Sequence, residues 1–162
     1  MRITPIEKED KTGRIITLRN AEISDADNLI TYMKITSFET PFLLREPDEF
    51  HLTSEQEECF IQNTIDNPRE LMLLATADGC HIGNCSLSGA GPFKRYQHRC
   101  QIAIALYQKY WGCGIGQMML STILSVAREL GYEQAELEVA ANNNLRCCAL
   151  QKIRFSDLRH IP

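Results

Sequence analysis

Between residues 71 and 131 the hydrophobic period changes once, and that change constrains the fold more than any other feature of the chain. Residues 71–77, 82–87 and 100–106 read as three successive strands, short apolar runs bounded by turn signals. Asp78-Gly79 makes the first connection a tight hairpin, and Gly89-Ala90-Gly91-Pro92 makes the second a longer turn. The period then lengthens to that of a helix over about 115–130. Met118, Met119, Ile123, Val126, Ala127 and Leu130 lie near one face, and Gly131 supplies the stop. Between strand and helix stands Tyr110-Trp111-Gly112-Cys113-Gly114-Ile115-Gly116. A strand passing through alternate glycines into a helix start is a device for binding phosphate. Free backbone amides point the same way, the helix dipole adds partial positive charge, and glycine lets the backbone approach the ligand closely. No Lys-Ser/Thr follows, so this is not a P-loop, and the spacing is not the GxGxxG of a dinucleotide fold. Taken alone, GxGxG also fits a plain helix-start turn.

Upstream, residues 1–13 read as a polar lead-in and 15–18 as a short strand. Ser24-Asp25-Ala26-Asp27 signals a helix start with Ser24 as cap, and Leu29, Ile30 and Met33 supply its apolar face. A loop over 38–50, marked by Pro41 and Pro47, carries Phe38, Phe42, Leu43, Leu44 and Phe50. These side chains either wall a substrate site or anchor the loop to the core. Thr53 and Gln56 form a capping box that opens a second helix running to about Asp66. Downstream, 135–139 alternates as a strand with Glu136 and Glu138 outward, and Asn144 caps a short helix through about Ile153. The order predicts a single α+β domain over 1–162, a mixed and mostly antiparallel sheet flanked by helices.

Composition removes several function classes. A formal charge of −4 and the lack of a basic face argue against a nucleic-acid partner. No apolar run approaches the roughly 20 residues that cross a bilayer. Residues 1–11 lack the apolar centre of a signal peptide, so a cytoplasmic protein with no membrane partner is expected. The seven cysteines are odd in number and form no CxxC or Cys/His pattern. They read as small apolar filler, and no metal site is expected.

The segment Ile102-Ala-Ile-Ala-Leu-Tyr-Gln-Lys-Tyr-Trp-Gly-Cys-Gly-Ile-Gly-Gln-Met-Met-Leu resembles the cofactor-binding motif of the GNAT N-acetyltransferase superfamily. Leu137-Glu-Val-Ala-Ala-Asn-Asn-Asn-Leu-Arg-Cys-Cys-Ala-Leu is similar to the family's next strand and helix start. The resemblance spans about residues 14–155. It implies the GNAT acyl-CoA N-acyltransferase fold, with acetyl-CoA as cosubstrate. The amides of Trp111, Gly112, Cys113, Gly114, Ile115, Gly116 and Gln117 would hold its pyrophosphate. The backbone of Ile104, Ala105 and Leu106 would bond the pantetheine arm, and Asn144 would lie beside the cofactor or act simply as a helix cap. A neutral amine would attack the acetyl thioester, polarised by a backbone donor near Ala105 or Leu106. The acceptor implied is a primary amine, on a protein N-terminus or a small molecule.

Four departures from the family pattern bear on the chemistry. Trp111 stands where the glycine motif opens with Gln or Arg. Gln101 stands where many members carry a glutamate base, and an amide takes no proton at neutral pH. His98, Glu39, Glu49 or a water chain are the alternatives, and His98 and Gln101 are the catalytic candidates. No tyrosine occupies the family's general-acid position over 150–155, which leaves Cys147 or Cys148 as substitutes. Finally, the sequence ends at Pro162, before the family's last strands. A homodimer covering the exposed edge, a truncation, or an altered tail would each account for that. Phe42, Leu43 and Leu44, with residues 96–99, would shape the acceptor site. The rival to an enzyme is an acyl-CoA-binding module with weak or no turnover. A third, weaker reading is a nucleotide-binding domain, which calls for an acidic ribose partner; Glu136 lies about 20 residues on, but within an alternating strand and turned outward.

Overall fold

The computed structural model describes residues 1–43 and 45–138. Its centre is a six-stranded sheet whose spatial order follows the chain: β1 (Ile6–Glu9), β2 (Ile15–Asn20), β3 (Leu71–Ala77), β4 (Cys80–Gly89), β5 (Arg99–Leu106) and β6 (Gln134–Glu136). All pairings are antiparallel except β5 with β6, which is parallel. The mixed, mostly antiparallel sheet expected from the sequence is therefore what forms.

Strand β3 explains the layering. Leu-Met-Leu-Leu-Ala-Thr-Ala is buried at every position because both faces of the sheet are covered. On one face Leu71, Leu73, Ala75 and Ala77 join β2, β4 and β5 beneath helix α3 (Ile115–Glu129), which contributes Ile115, Met119, Ile123, Val126 and Ala127. On the other face Met72 and Leu74 pack under α1 (Ala26–Glu39) and α2 (Ser54–Asp66) with Leu29, Tyr32 and Ile61. The interdigitated apolar faces of β3 are thus the floor of two separate cores.

Several boundaries are set by the local chemistry anticipated. Thr53 accepts the Gln56 amide and Gln56 accepts the Thr53 amide, a capping box at α2. Asp78 and Gly79 both take positive φ, 51° and 75°, which closes β3 onto β4 as a two-residue hairpin. Two expectations need correction. Residues 1–13 are more than a lead-in: Ile-Glu-Lys-Glu pairs with β2 as an edge strand. Its exposed glutamates and lysine conceal the strand period and keep the edge soluble. The first helix does not start on a Ser24 cap. A short 3₁₀ turn over Ile23–Asp25 precedes it, and Asp25 reaches back to the Glu22 amide at 2.9 Å while gripping the Arg19 guanidinium with both oxygens.

Candidate functional site

The register of β5 creates an open edge. Its pairing with β6 covers only Arg99, Cys100 and Gln101. From Ile102 to Leu106 the outer side of β5 has no strand partner among the described residues. Antiparallel ladders alternate hydrogen-bonded and non-bonded pairs. At one end of β5 the Arg99 carbonyl accepts the Ala90 amide, and just past the other the Tyr107 amide donates to Ile82. The odd-numbered residues between them thus turn their backbone groups to β4, and the even-numbered ones turn theirs to the open side. Ile104 and Leu106 present amides there, whereas Ala105, opposite Asn84, faces β4. One of those outward groups is taken: the Trp111 indole donates to the Leu106 carbonyl at 2.9 Å.

The strand then enters the glycine stretch. A 3₁₀ turn over Gln108–Tyr110 is fastened by Glu39, which accepts the Gln108 amide at 2.7 Å, and by the Trp111 amide, which donates to Gln108. Trp111 therefore spends its amide on that turn, contrary to the role the resemblance gave it. The amides of Gly112, Cys113 and Gly114 find no acceptor among the described residues. The first bond of the α3 ladder runs from the Met118 amide to the Gly114 carbonyl, so Ile115, Gly116 and Gln117 sit at the unpaired end of the helix. Gly114 adopts φ 87° as the residue preceding the helix, a conformation costly for any residue with a Cβ. Gly116 has a different reason. A Cβ there would lie 3.3 Å from Leu106 Cδ1, so its missing side chain seats α3 against β5.

The other candidates are dispersed. His98 is exposed at the far end of β5, where its carbonyl accepts the Glu133 and Gln134 amides. It stands six residues from Ile104, roughly 20 Å along the strand. Gln101 is exposed where β5 and β6 separate, with Glu136 as its register neighbour. Glu39 is committed to Gln108, and Glu49 accepts the Glu46 amide of its own turn at 2.9 Å. Phe42 and Leu43 border the segment after α1 half-buried. Tyr96, Gln97 and Arg99 line a separate depression of about 410 Å³ with Arg69 and Tyr132, at the end of β5 away from the glycines. Leu44, Asn144, Cys147, Cys148 and the 150–155 segment lie outside the described residues, as does the chain from 139 onward on which the edge and dimer expectations rest.

Sequence reasoning missed the partner of Gln101. Glu136 sits beside it and is gripped by the Arg99 guanidinium at 2.6 Å, which holds its carboxyl below the usual range and makes it a weak base. The alternation that turned Glu136 outward was the available signal. The thiols of Cys85 and Cys100 are pushed up by burial, that of Cys100 to about 11, so they behave as apolar packing. No described helix is long and apolar enough to cross a membrane.

An antiparallel sheet that opens at one strand, followed by a glycine turn into a helix, is the arrangement expected of an acyl-CoA-dependent acyltransferase. The family model for the acetyltransferase (GNAT) domain matches residues 16–156, and the chain belongs to that family, whose reaction is acetyl transfer with acetyl-CoA as cosubstrate. No curated protein matches the chain significantly. Among solved structures it is similar to a GNAT acetyltransferase from Streptococcus pneumoniae, at 27% identity and a TM-score of 0.80, covering 85% of this chain and 83% of that one. A Salmonella typhimurium protein solved with its cofactor acetyl-CoA has the same fold at 15% identity and a TM-score of 0.80, over 91% and 83% of the two chains. A ribosomal-protein-alanine N-acetyltransferase from Brucella melitensis shares the fold at 18% identity and a TM-score of 0.74, over 84% and 82%.

Proposed function

We propose that this chain is an N-acetyltransferase that moves the acetyl group of acetyl-CoA onto a primary amine, carried by a protein N-terminus or a small molecule. The observation behind it is the open edge of β5, followed after one short 3₁₀ turn by the unpaired amides of the glycine stretch. The residues present suit the cosubstrate: extended backbone at Ile104 and Leu106 matches an amide-bearing arm, and the amides of Gly112 to Gln117 match a pyrophosphate. Bound there, acetyl-CoA supplies an activated acyl group that an amine can attack directly.

The chain's own contribution is placement and polarisation. Of the two backbone donors named from the resemblance, the Leu106 amide is the one turned outward, so it is the donor assigned to the carbonyl oxygen as charge develops. Trp111 and Gly116 act through Leu106, one by holding its carbonyl and the other by letting α3 lean on its side chain. His98 loses its catalytic assignment on distance. Gln101 is kept as a residue that orients the acceptor by hydrogen bonding, since it cannot accept a proton. Proximity gives useful rates with a free amine even where no dedicated base is engaged. A second reading, an acyl-CoA-binding module with little turnover, draws on the uncharged Gln101 and on the occupied Glu136.

Calorimetric titration with acetyl-CoA, followed by CoA release over a panel of peptide and small-molecule amines, separates these. Binding with release on any amine supports the transferase. Binding without release across the panel supports the module, and no binding would sink both.

A further inference from the structure

We propose that Lys11, on the hairpin joining β1 to β2, supplies the cation that the glycine turn itself lacks and pairs with the cofactor's pyrophosphate. The inference rests on the functional reading above and extends it to an element that sequence analysis set aside as a lead-in.

Two contacts bring the hairpin to the turn. The Lys11 amide donates to the Cys113 carbonyl at 3.0 Å, joining the hairpin backbone to the middle of the glycine stretch. The Lys11 side chain then runs across Gly114: a Cβ built there would meet Lys11 Cγ at 3.3 Å, Cε at 3.4 Å and Cδ at 3.7 Å. The aliphatic stem is thus laid along the residue that begins α3. Its ammonium makes no ion pair among the described residues. Lys11, Cys113, Gly114 and Gln117 share the wall of one depression of about 330 Å³ beside the helix start.

The hairpin is built to hold that position. Asp10 turns inward, its side chain wholly covered, and accepts the Thr12 hydroxyl at 2.6 Å and the Thr12 and Arg14 amides. The Thr12 hydroxyl holds its carboxyl below the usual range, helped by the Arg14 and Thr12 amides and by the Arg14 charge. Arg14 in turn lies over the Tyr110 ring at 5.1 Å. Lys8, Glu9 and Asp10 border the same depression, and Lys8 and Glu9 are solvent-exposed. Asp10 spends Oδ1 on these partners, and its Oδ2, which accepts no hydrogen bond among the described residues, lies 3.9 Å from the Arg14 guanidinium.

The turn's own inventory explains the need. Between Tyr107 and Gln117 the only charged residue is Lys109, and its ammonium lies over the rings of Tyr110 and Tyr107 at 5.0 and 5.9 Å. Trp111, at the position where the glycine motif opens with Gln or Arg, brings an uncharged indole. Amides and a dipole worth about half a charge leave a doubly charged pyrophosphate short of more than one counter-charge, and a flexible ammonium on a packed stem is suited to supply one.

The test is calorimetric titration of the full chain with CoA and with dephospho-CoA, which lacks the 3′-phosphate. Lys11→Met keeps the stem and the backbone bond but removes the charge. It is expected to weaken both ligands by roughly tenfold, the range of one charge-assisted hydrogen bond. Lys11→Arg is expected to restore most of the affinity, and Lys34→Met, the same charge removed from α1, to leave it within about twofold. The slope of log Kd against log salt should be shallower in Lys11→Met than in the parent protein, and Lys11→Gln provides the same comparison if the Met variant fails to fold. Unchanged affinity in a folded Lys11 variant overturns the proposal. A loss seen with CoA but not with dephospho-CoA moves the contact to the 3′-phosphate and overturns it as stated. Failure of the parent protein to bind either ligand strikes instead at the functional reading.

Discussion

Glu57 is a buried carboxyl on α2 whose side chain makes no hydrogen bond among the described residues, and burial raises its pKa. The sign of its effect on stability follows from linkage. Below about pH 4 the group is protonated in the folded and unfolded chains alike, so it costs nothing. As pH rises through the ordinary glutamate value, the unfolded chain ionises first and the folded state loses ground until its own carboxyl ionises. Glu57→Gln cannot ionise and is expected to raise Tm at pH 7. Thermal melts across pH should show that gain shrinking to nothing near pH 4, and a gain independent of pH would point to packing. At this same scale sequence reading was weakest. Glu57 looks like any helix glutamate in a polar run, because which face of α2 meets the sheet depends on α1 and β3, far away in the chain.

Contact between β5 and α3 is where single elements become a site. Gly83 on β4 pairs with Leu106, and a Cβ there would lie 2.3 Å from Leu106 Cδ2 and 3.1 Å from the Ala105 carbonyl oxygen. The Leu106 side chain can rotate away, but the backbone oxygen cannot. Gly83→Ala is expected to cost about 1–3 kcal/mol of stability by denaturant titration, as overpacking does. It should also weaken acetyl-CoA binding, because the strand that must move is the one with the open edge. A stability loss with unchanged binding would show that Leu106 does not position the ligand. The elements themselves were largely legible. The Asp78-Gly79 hairpin, the α2 capping box and the α3 stripe are local signals that the fold preserves. What escaped was β1, whose alternate charged residues carry no apolar period, and the division of labour within 104–106. That division follows from hydrogen-bond parity across β4, which no single segment reveals.

At the scale of the molecule, the described residues form a sheet with helices on both faces, and their two clusters of buried residues explain which parts of the site were readable. The glycine turn, α3 and β5 are neighbours in sequence and in space, so the cofactor side could be read along the chain. The candidates named for the acceptor side and its chemistry lie on α1, the segment after it and the β4–β5 connection, which are far apart in the sequence. Candidates there were named by residue type, and several, such as Glu39 and Glu49, are committed to neighbouring backbone amides. Trp111 is the one tryptophan in the molecule, and its indole lies against the open edge of β5 rather than in either core. Its emission is therefore a built-in optical signal for occupancy of that edge. Titration with acetyl-CoA should change the fluorescence along a curve with the calorimetric Kd, and rapid mixing should then time ligand arrival without any label. An emission that stays flat while heat is released would place the ligand away from Trp111. With the only tryptophan at the strand edge where the ligand is expected to dock, association and departure can be watched separately from turnover.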